Sequence, residues 1–140
     1  MKLLAIDYGQ SRTGIAVSDA GGRMAFPRCT LHKKTRAAFL EQLCALIAEE
    51  DPGAIVIGLP LLADGSESLG TRQIRNFARS LQRRLALPIY LMEEFLSTHE
   101  AAAQMREVGH RPKNGELDQQ AAVRILESFL HQKEAHRNQI

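Results

Sequence analysis

The sequence has no tryptophan, two cysteines, five phenylalanines and two tyrosines. So few aromatic side chains do not suggest the stacking platform on which many proteins hold single-stranded bases. Cys29 and Cys44 form neither a Cys-x-x-Cys pair nor a Cys/His ligand pattern. We expect both to be reduced thiols packed in or near the core, which excludes a disulfide framework.

Long apolar runs are also missing. The first apolar run covers only residues 3–6 and ends at Asp7. A secretory signal needs roughly 7–15 apolar residues, and a membrane span needs about 20. The sequence therefore predicts a cytoplasmic protein without a membrane partner.

The bulk composition is that of one globular domain. Of 140 residues, 44% are hydrophobic and 24% are charged, which excludes disorder as the main state. We expect a single domain over residues 1–140, with a polar tail from about residue 132 that frays. The formal net charge of +2 permits nucleic-acid binding without arguing for it, so the placement of the charges matters more than their sum.

Hydrophobic periodicity and turn signals define the predicted elements. Predicted strands cover residues 3–6, 14–18, 24–31, 54–58 and 88–92. One predicted helix begins after Thr35 and is closed by residues 51–53, and further predicted helices cover residues 68–87, 97–109 and 117–131. Leading hairpins followed by alternating strands and helices indicate an α/β fold. We expect a mixed five-stranded sheet, antiparallel at its N-terminal hairpins, with helices on both faces.

Three acidic positions stand where such a sheet places its ligands, beyond the carboxyl ends of its strands. Asp7 follows the first strand, Glu93 and Glu94 follow the last one, and Asp118 opens the final helix. Each has an ordinary alternative: a turn-capping carboxylate at Asp7, a solvated acidic turn at Glu94 and an N-cap at Asp118. Taken together, Asp7, Glu94 and Asp118 form the candidate catalytic set.

Oxygen ligands favour Mg²⁺ or Mn²⁺, and a pair of such ions supports phosphodiester hydrolysis. A zinc site fits poorly, because the histidines show no ligand spacing with each other or with cysteine. These histidines are His32, His99, His110, His131 and His136. The sequence therefore predicts a site for divalent metal ions, expected to be two, held by Asp7, Glu94 and Asp118.

Basic residues supply the candidate substrate contacts. The predicted helix over residues 68–87 carries an arginine stripe opposite its apolar stripe, a surface that suits a phosphate backbone, although a solvated outer face is the ordinary alternative. The stripe consists of Arg72, Arg75, Arg79 and Arg83. Arg111 and Lys113 precede Asp118, and Arg12 follows the first strand. We expect Arg12, Arg72, Arg75, Arg111 and Lys113 to contact substrate.

Several segments in a fixed order resemble one known family. They are Asp7-Tyr8-Gly9 with Arg12, Gly14, Ala16, Ser18 and Asp19; residues 56–61 with 64–66; Glu94 with residues 96–98 and Ala101; and Asp118 with Ala121, Ala122, Ile125 and Leu126. Over nearly the whole chain the sequence is similar to the YqgF family, also called RuvX. These Holliday-junction-resolvase-like proteins are also described as nucleases of precursor 16S rRNA.

The resemblance implies an RNase H-like fold and a metal-dependent phosphodiesterase site, with the family's acidic residues at Asp7, Glu94 and Asp118. Two positions depart from the family pattern. Phe95 stands where arginine is usual, which removes a cation beside the acidic pair. Glu93 replaces the usual aspartate and keeps its charge.

Three functions follow as hypotheses. The first is a nuclease that processes the 5′ end of precursor 16S rRNA or, alternatively, resolves branched DNA. The second is a structure-specific nucleic-acid-binding protein with little catalysis, which the loss of arginine at Phe95 favours. The third is a phosphotransferase of the actin and sugar-kinase type, which ranks last because those proteins close two such domains over a nucleotide. A homodimer is left open.

Overall fold

The computed structural model describes residues 1–96 and 115–140. Within these ranges the chain forms six strands, three α-helices and one 3-10 turn. The strands are β1 (Leu3–Asp7), β2 (Arg12–Ser18), β3 (Ala25–His32), β4 (Ala54–Leu61), β5 (Ile89–Phe95) and β6 (Asn138–Gln139). The helices are α1 (Arg36–Glu50), α2 (Leu69–Gln82) and α3 (Gly115–His131), and the 3-10 turn is Glu134–His136.

The strands form one mixed sheet in the order β3-β2-β1-β4-β5-β6. β1, β2 and β3 pair antiparallel, while β1, β4 and β5 run parallel to one another. The predicted α/β class, the mixed sheet and the antiparallel N-terminal hairpins are therefore confirmed.

The number of strands and the behaviour of the tail need correction. The sheet has six strands rather than five, because β6 in the polar tail pairs antiparallel with β5. The backbone N–H of Ile140 also donates to the carbonyl of Ile89, and the guanidinium of Arg137 lies 4.4 Å from the centroid of the Phe129 ring. Backbone hydrogen bonds and this cation–π contact hold the tail that we expected to fray.

Alternating side chains along the strands build a core on each face of the sheet. Leu4 and Ile6 of β1 pack in the core cluster that includes side chains of α1 and α2. Leu3 and Ala5 pack in the opposite cluster, with side chains of α3. Helices thus cover both faces, as predicted, and odd-numbered side chains of β1 point towards α3.

Two helix boundaries differ from the prediction. Thr35 caps α1 as expected, and Ser68 and Thr71 form a capping box at α2. However, α2 ends at Gln82 rather than near residue 87, because the chain turns at Arg83 and Arg84, where the N–H of Arg84 donates to the carbonyl of Leu81. α3 begins at Gly115, two residues earlier than predicted. The helix predicted over residues 97–109 lies outside the described residues.

No helix in the described ranges is both long enough and apolar enough to span a membrane.

Candidate nuclease site

Asp7 lies at the carboxyl end of β1, where it pairs with Gly14 on β2. Residues directly opposite in an antiparallel pair project from the same face of the sheet. At Gly14 that face is in close contact with α3, since a Cβ added there would lie 1.9 Å from the backbone oxygen of Asp118. Asp7 and Asp118 therefore share one face and one edge of the sheet, which we call the acidic edge.

Asp118 is a buried residue within α3, with 4% of its surface exposed. Residues 115–117 precede it in the helix, so the N-cap alternative is wrong. The sequence pattern placed Asp118 on the face of Ala122, Ile125 and Phe129, and all three are buried against the sheet. A carboxylate in such a position requires charge compensation, because an isolated buried charge is costly.

Arg12 supplies part of that compensation. Its Nε atom lies 3.4 Å from Oδ2 of Asp118, and 21% of the Arg12 side chain is exposed. The arginine thus reaches from the start of β2 to α3 while part of it stays open to solvent. This position keeps a partly exposed positive charge at the edge that Asp7 and Asp118 share.

Glu93 and Glu94 lie within β5 rather than after it, because the strand continues to Phe95. The expectation that they follow the strand is wrong. Tyr90 and Met92 pack in the cluster with α3, so alternation places Glu94 on that face and Glu93 on the other. Glu94 therefore shares the face of Asp7 and Asp118, and its backbone pairs with Pro60 on β4.

The sheet register separates Glu94 from Asp7. β4 lies between β1 and β5, and Asp7 is level with Gly58, two residues before Pro60. From standard strand spacing, two strands and two residues put the Cα atoms of Asp7 and Glu94 about 12 Å apart. Accordingly, no three His, Cys, Asp or Glu side chains in the part of the chain that the structure describes are grouped closely enough to hold a metal ion.

The predicted basic contacts are distributed over different parts of the molecule. Arg12 lies at the acidic edge, whereas Arg72 and Arg75 belong to α2, which packs on the opposite face of the sheet. Arg72 is exposed, and Nε of Arg75 is 2.9 Å from Oε1 of Glu67. Arg75 is therefore paired with an acidic residue that precedes α2. Arg111 and Lys113 lie outside the described residues.

A second basic region, which the sequence patterns did not predict, lies on the α1 and α2 side of the same sheet edge. There Lys33 and Arg36 line a cleft with Tyr8, the residue directly after Asp7. The available signal was the basic cluster at residues 33–36, which precedes and opens α1.

Comparison with known proteins identifies the family. The family model RuvX, described as Holliday junction resolvase, matches residues 1–132. A protein from Nitratidesulfovibrio vulgaris (strain DSM 19637 / Miyazaki F), named "Putative pre-16S rRNA nuclease", is 55% identical, and the match covers 98% of each chain. A protein of the same name from Lawsonia intracellularis is 50% identical over 100% of both chains.

Solved structures show the same fold at much lower sequence identity. RuvC from Thermus thermophilus, solved in complex with a Holliday junction substrate, has a TM-score of 0.62 with 14% identity over 100% of both chains. A second structure of T. thermophilus RuvC has a TM-score of 0.59 with 12% identity over the same coverage. This likeness confirms the RNase H-like fold, and the family match and the close relatives establish that the chain belongs to the RuvX family of Holliday junction resolvases.

Proposed function

We propose that this protein is a nuclease that hydrolyses phosphodiester bonds in structured nucleic acid, with precursor 16S rRNA as its substrate. The proposal rests on one observation: Asp7 and Asp118 lie on the same face of the acidic edge, with Arg12 beside Asp118. Relatives that carry the rRNA nuclease name, at 50–56% identity, favour precursor rRNA as the substrate.

Metal dependence is part of this proposal. Asp7 and Asp118 would hold Mg²⁺ or Mn²⁺, and Glu94 would join them from β5. Mg²⁺ is commonly bound by one or two carboxylates, with substrate phosphates and water as further ligands, so the wide spacing of Glu94 does not prevent a site. When bound, such ions activate water and stabilise charge on the leaving oxygen. Two such ions, as predicted from the sequence, are part of the proposal.

The remaining residues of the edge act on the substrate. Arg12 contacts Asp118 through Nε and is partly exposed, so it would hold the carboxylate in place, and its positive charge would attract the nucleic-acid strand. Arg111 and Lys113, which come shortly before α3 in sequence, remain predicted substrate contacts. Arg72 and Arg75, on the opposite layer, would contact only a substrate large enough to extend past the edge of the sheet.

A cleavage assay tests the proposal. The substrates are an RNA spanning the 5′ end of 16S rRNA, a four-way DNA junction and an unstructured single strand, each with Mg²⁺, Mn²⁺ or EDTA. We expect cleavage of the precursor RNA that EDTA abolishes. Preferred cleavage of the four-way junction would indicate instead that the protein resolves branched DNA. Binding without cleavage in every arm would contradict the nuclease proposal and favour the binding-protein hypothesis.

Metal binding is measured separately by calorimetric titration of Mg²⁺ and Mn²⁺. Asp7 would supply one of the negatively charged oxygen ligands of the ion, so Asp7→Asn should weaken binding. Equal binding by the wild type and the variant would contradict the assignment of Asp7. Light scattering during size-exclusion chromatography of the same samples tests the homodimer, which stays a prediction.

A further inference from the structure

A second polar site lies behind the acidic edge, in a cleft between α1 and α2. Its volume is about 230 Å³, and its lining residues are Tyr8, Gln10, Lys33, Arg36, Phe39, Leu40, Gln73, Asn76 and Phe77. None of these residues is acidic. Tyr8 follows Asp7 directly and packs against the core on the α1 and α2 face, whereas Asp7 belongs to the opposite face. The cleft and the acidic edge are therefore back to back across the end of β1.

Aromatic rings form the apolar wall of this cleft. The Tyr8 and Phe77 rings stack with their centroids 4.2 Å apart and an interplanar angle of 12°. Phe39 closes the group, with its centroid 5.9 Å from that of Tyr8. Nζ of Lys33 lies 4.6 Å from the Tyr8 centroid and 5.6 Å from the Phe39 centroid, which holds the ammonium by cation–π attraction.

The two cations of the cleft have neutral partners. Lys33 donates to the hydroxyl of Tyr8, and Nη2 of Arg36 lies 2.5 Å from the hydroxyl of Ser80. Neither forms an ion pair with a carboxylate in the described part of the chain, whereas Lys2, Arg28 and Arg75 all do. Two positive charges thus converge on one cleft without a protein anion to neutralise them, which favours an anionic ligand.

Amide side chains define the class of anion further. Gln10, Gln73 and Asn76 line the cleft beside the cations, and amide side chains both donate and accept hydrogen bonds. Oδ1 of Asn76 accepts from Nη1 of Arg79, so Asn76 would meet a ligand through its NH₂ group. The cleft is smaller than the usual ligand pocket of about 300–1,000 Å³, so it suits one phosphate with part of its sugar rather than a large organic molecule. Phosphate oxygens match the donors of lysine and arginine, and sugar hydroxyls match the amides.

We propose that this cleft binds the phosphate group of a nucleotide through Lys33 and Arg36, with Gln73 and Asn76 contacting the attached sugar. The nucleotide is either one unit of a nucleic-acid strand or a free mononucleotide. The first of these sources rests on the proposed function, because a nucleic-acid strand bound at the acidic edge can pass over the end of β1 and reach the cleft. The phosphate site itself does not depend on cleavage.

Calorimetric titration in EDTA tests the site without any cleavage. The probes are inorganic phosphate, adenosine 5′-monophosphate and a six-nucleotide RNA with a 5′-hydroxyl end. Each is titrated into the wild type, Lys33→Gln, Arg36→Gln and the control Lys34→Gln. Lys34 is exposed and lies outside the cleft lining, so its replacement makes the same change in charge at the neighbouring position.

We expect Lys33→Gln and Arg36→Gln to weaken nucleotide binding at least about 10-fold, since each removes one charge-assisted contact. Lys34→Gln should stay within about two-fold, as a solvated charge contributes little. For the six-nucleotide RNA, each cleft variant should also reduce the salt slope of log K by about 0.7. Binding of the RNA alone assigns the site to a strand, and binding of adenosine 5′-monophosphate assigns it to a free nucleotide.

Side-chain amide signals of Gln73 and Asn76 in ¹⁵N NMR spectra provide a direct readout, and they should shift on titration with the bound probe. If Lys33→Gln disturbs the Tyr8 contact and fails to fold, the affinity of Arg36→Gln still tests the site. Equal affinity in the two cleft variants and Lys34→Gln, or no binding of any probe by the wild type, would overturn the proposal. A cleavage failure with intact cleft binding would affect only the proposed nuclease function.

Discussion

Nε of Arg12 lies 3.4 Å from Oδ2 of Asp118, which joins the first residue of β2 to the buried face of α3. The two residues are far apart in sequence, and their contact brings a cation to the carboxylate at the candidate site. Because 95% of the Asp118 side chain is buried and part of Arg12 is exposed, the arginine stands between the carboxylate and solvent.

Replacing Arg12 should affect both stability and activity. Arg12→Gln removes the guanidinium beside a buried carboxylate, and we expect the free energy of unfolding to fall by about 1–3 kcal/mol. Nucleic-acid binding should weaken and its salt slope should become smaller. Urea unfolding and binding titrations measure the two effects. Arg124→Gln, at an exposed position on α3, is the control; equal behaviour of the two variants would contradict the role of Arg12.

Close approach of α3 to β2 depends on Gly14. A Cβ at this position would lie 1.9 Å from the backbone oxygen of Asp118, so Gly14→Ala must displace the helix or the strand. We expect a loss of about 1–3 kcal/mol in unfolding free energy, with reduced cleavage because Asp118 moves. Gly70→Ala is the control, since its Cβ would meet only the Ser68 hydroxyl oxygen at 3.6 Å. Unchanged stability in Gly14→Ala would show that this contact is not tight.

Stability should depend on pH through Glu50. Hydrogen bonds from Lys2 and then Arg28 lower the pKa of the Glu50 carboxyl below its ordinary value of 4.5. A lowered folded-state pKa stabilises the protein above the unfolded-state pKa, and this stabilisation is lost as the pH falls through the folded-state value.

Glu50→Gln should therefore be less stable than the wild type at pH 7, with a difference that shrinks as the pH falls below about 4.5. Urea unfolding between pH 7 and pH 3 measures this. Glu49→Gln should change little at any pH, because the Glu49 side chain is 69% exposed and 3.6 Å from Arg28. A pH-independent effect of Glu50→Gln would contradict the ion-pair account.

An arginine at position 95 should strengthen substrate binding. Phe95 ends β5 beside Glu94 and is 61% exposed, so it can be replaced without loss of core packing. Phe95→Arg should tighten RNA binding a few-fold and steepen the salt slope of log K by about 0.7–0.9. Phe26→Arg on β3 is the control, because its register places it at the opposite end of the sheet. An equal gain in both variants would indicate a general effect of charge.

Periodic apolar patterns predicted the central architecture. The spacing of Ala122, Ile125 and Phe129 gave the buried face of α3, and that face also fixed the inward position of Asp118. Turn residues between short apolar runs likewise gave the hairpins of β1, β2 and β3. These elements were predictable because burial of one face imposes a period on the sequence.

Structural features that depend on backbone hydrogen bonds leave no periodic pattern of apolar residues in the sequence. β6 joins the sheet through two polar residues, and β5 extends through Glu93 and Glu94 because main-chain pairing with β4 continues to Leu61. Predicting the Lys33 and Arg36 cleft would have required the relative placement of α1 and α2. The sequence pattern predicted that Asp7, Glu94 and Asp118 form a site, but it did not show the strand register that spaces Glu94 from Asp7.

The central claim is that Asp118 belongs to a nuclease site, and Asp118→Asn tests it most directly. Asparagine keeps the shape of the side chain and removes its charge. The measurement is cleavage of a precursor 16S rRNA fragment in Mg²⁺ or Mn²⁺, with thermal unfolding of each protein and Glu127→Gln, an exposed position on α3, as the control. We predict cleavage by the wild type and Glu127→Gln and none by a folded Asp118→Asn. Full cleavage by a folded Asp118→Asn would contradict the claim.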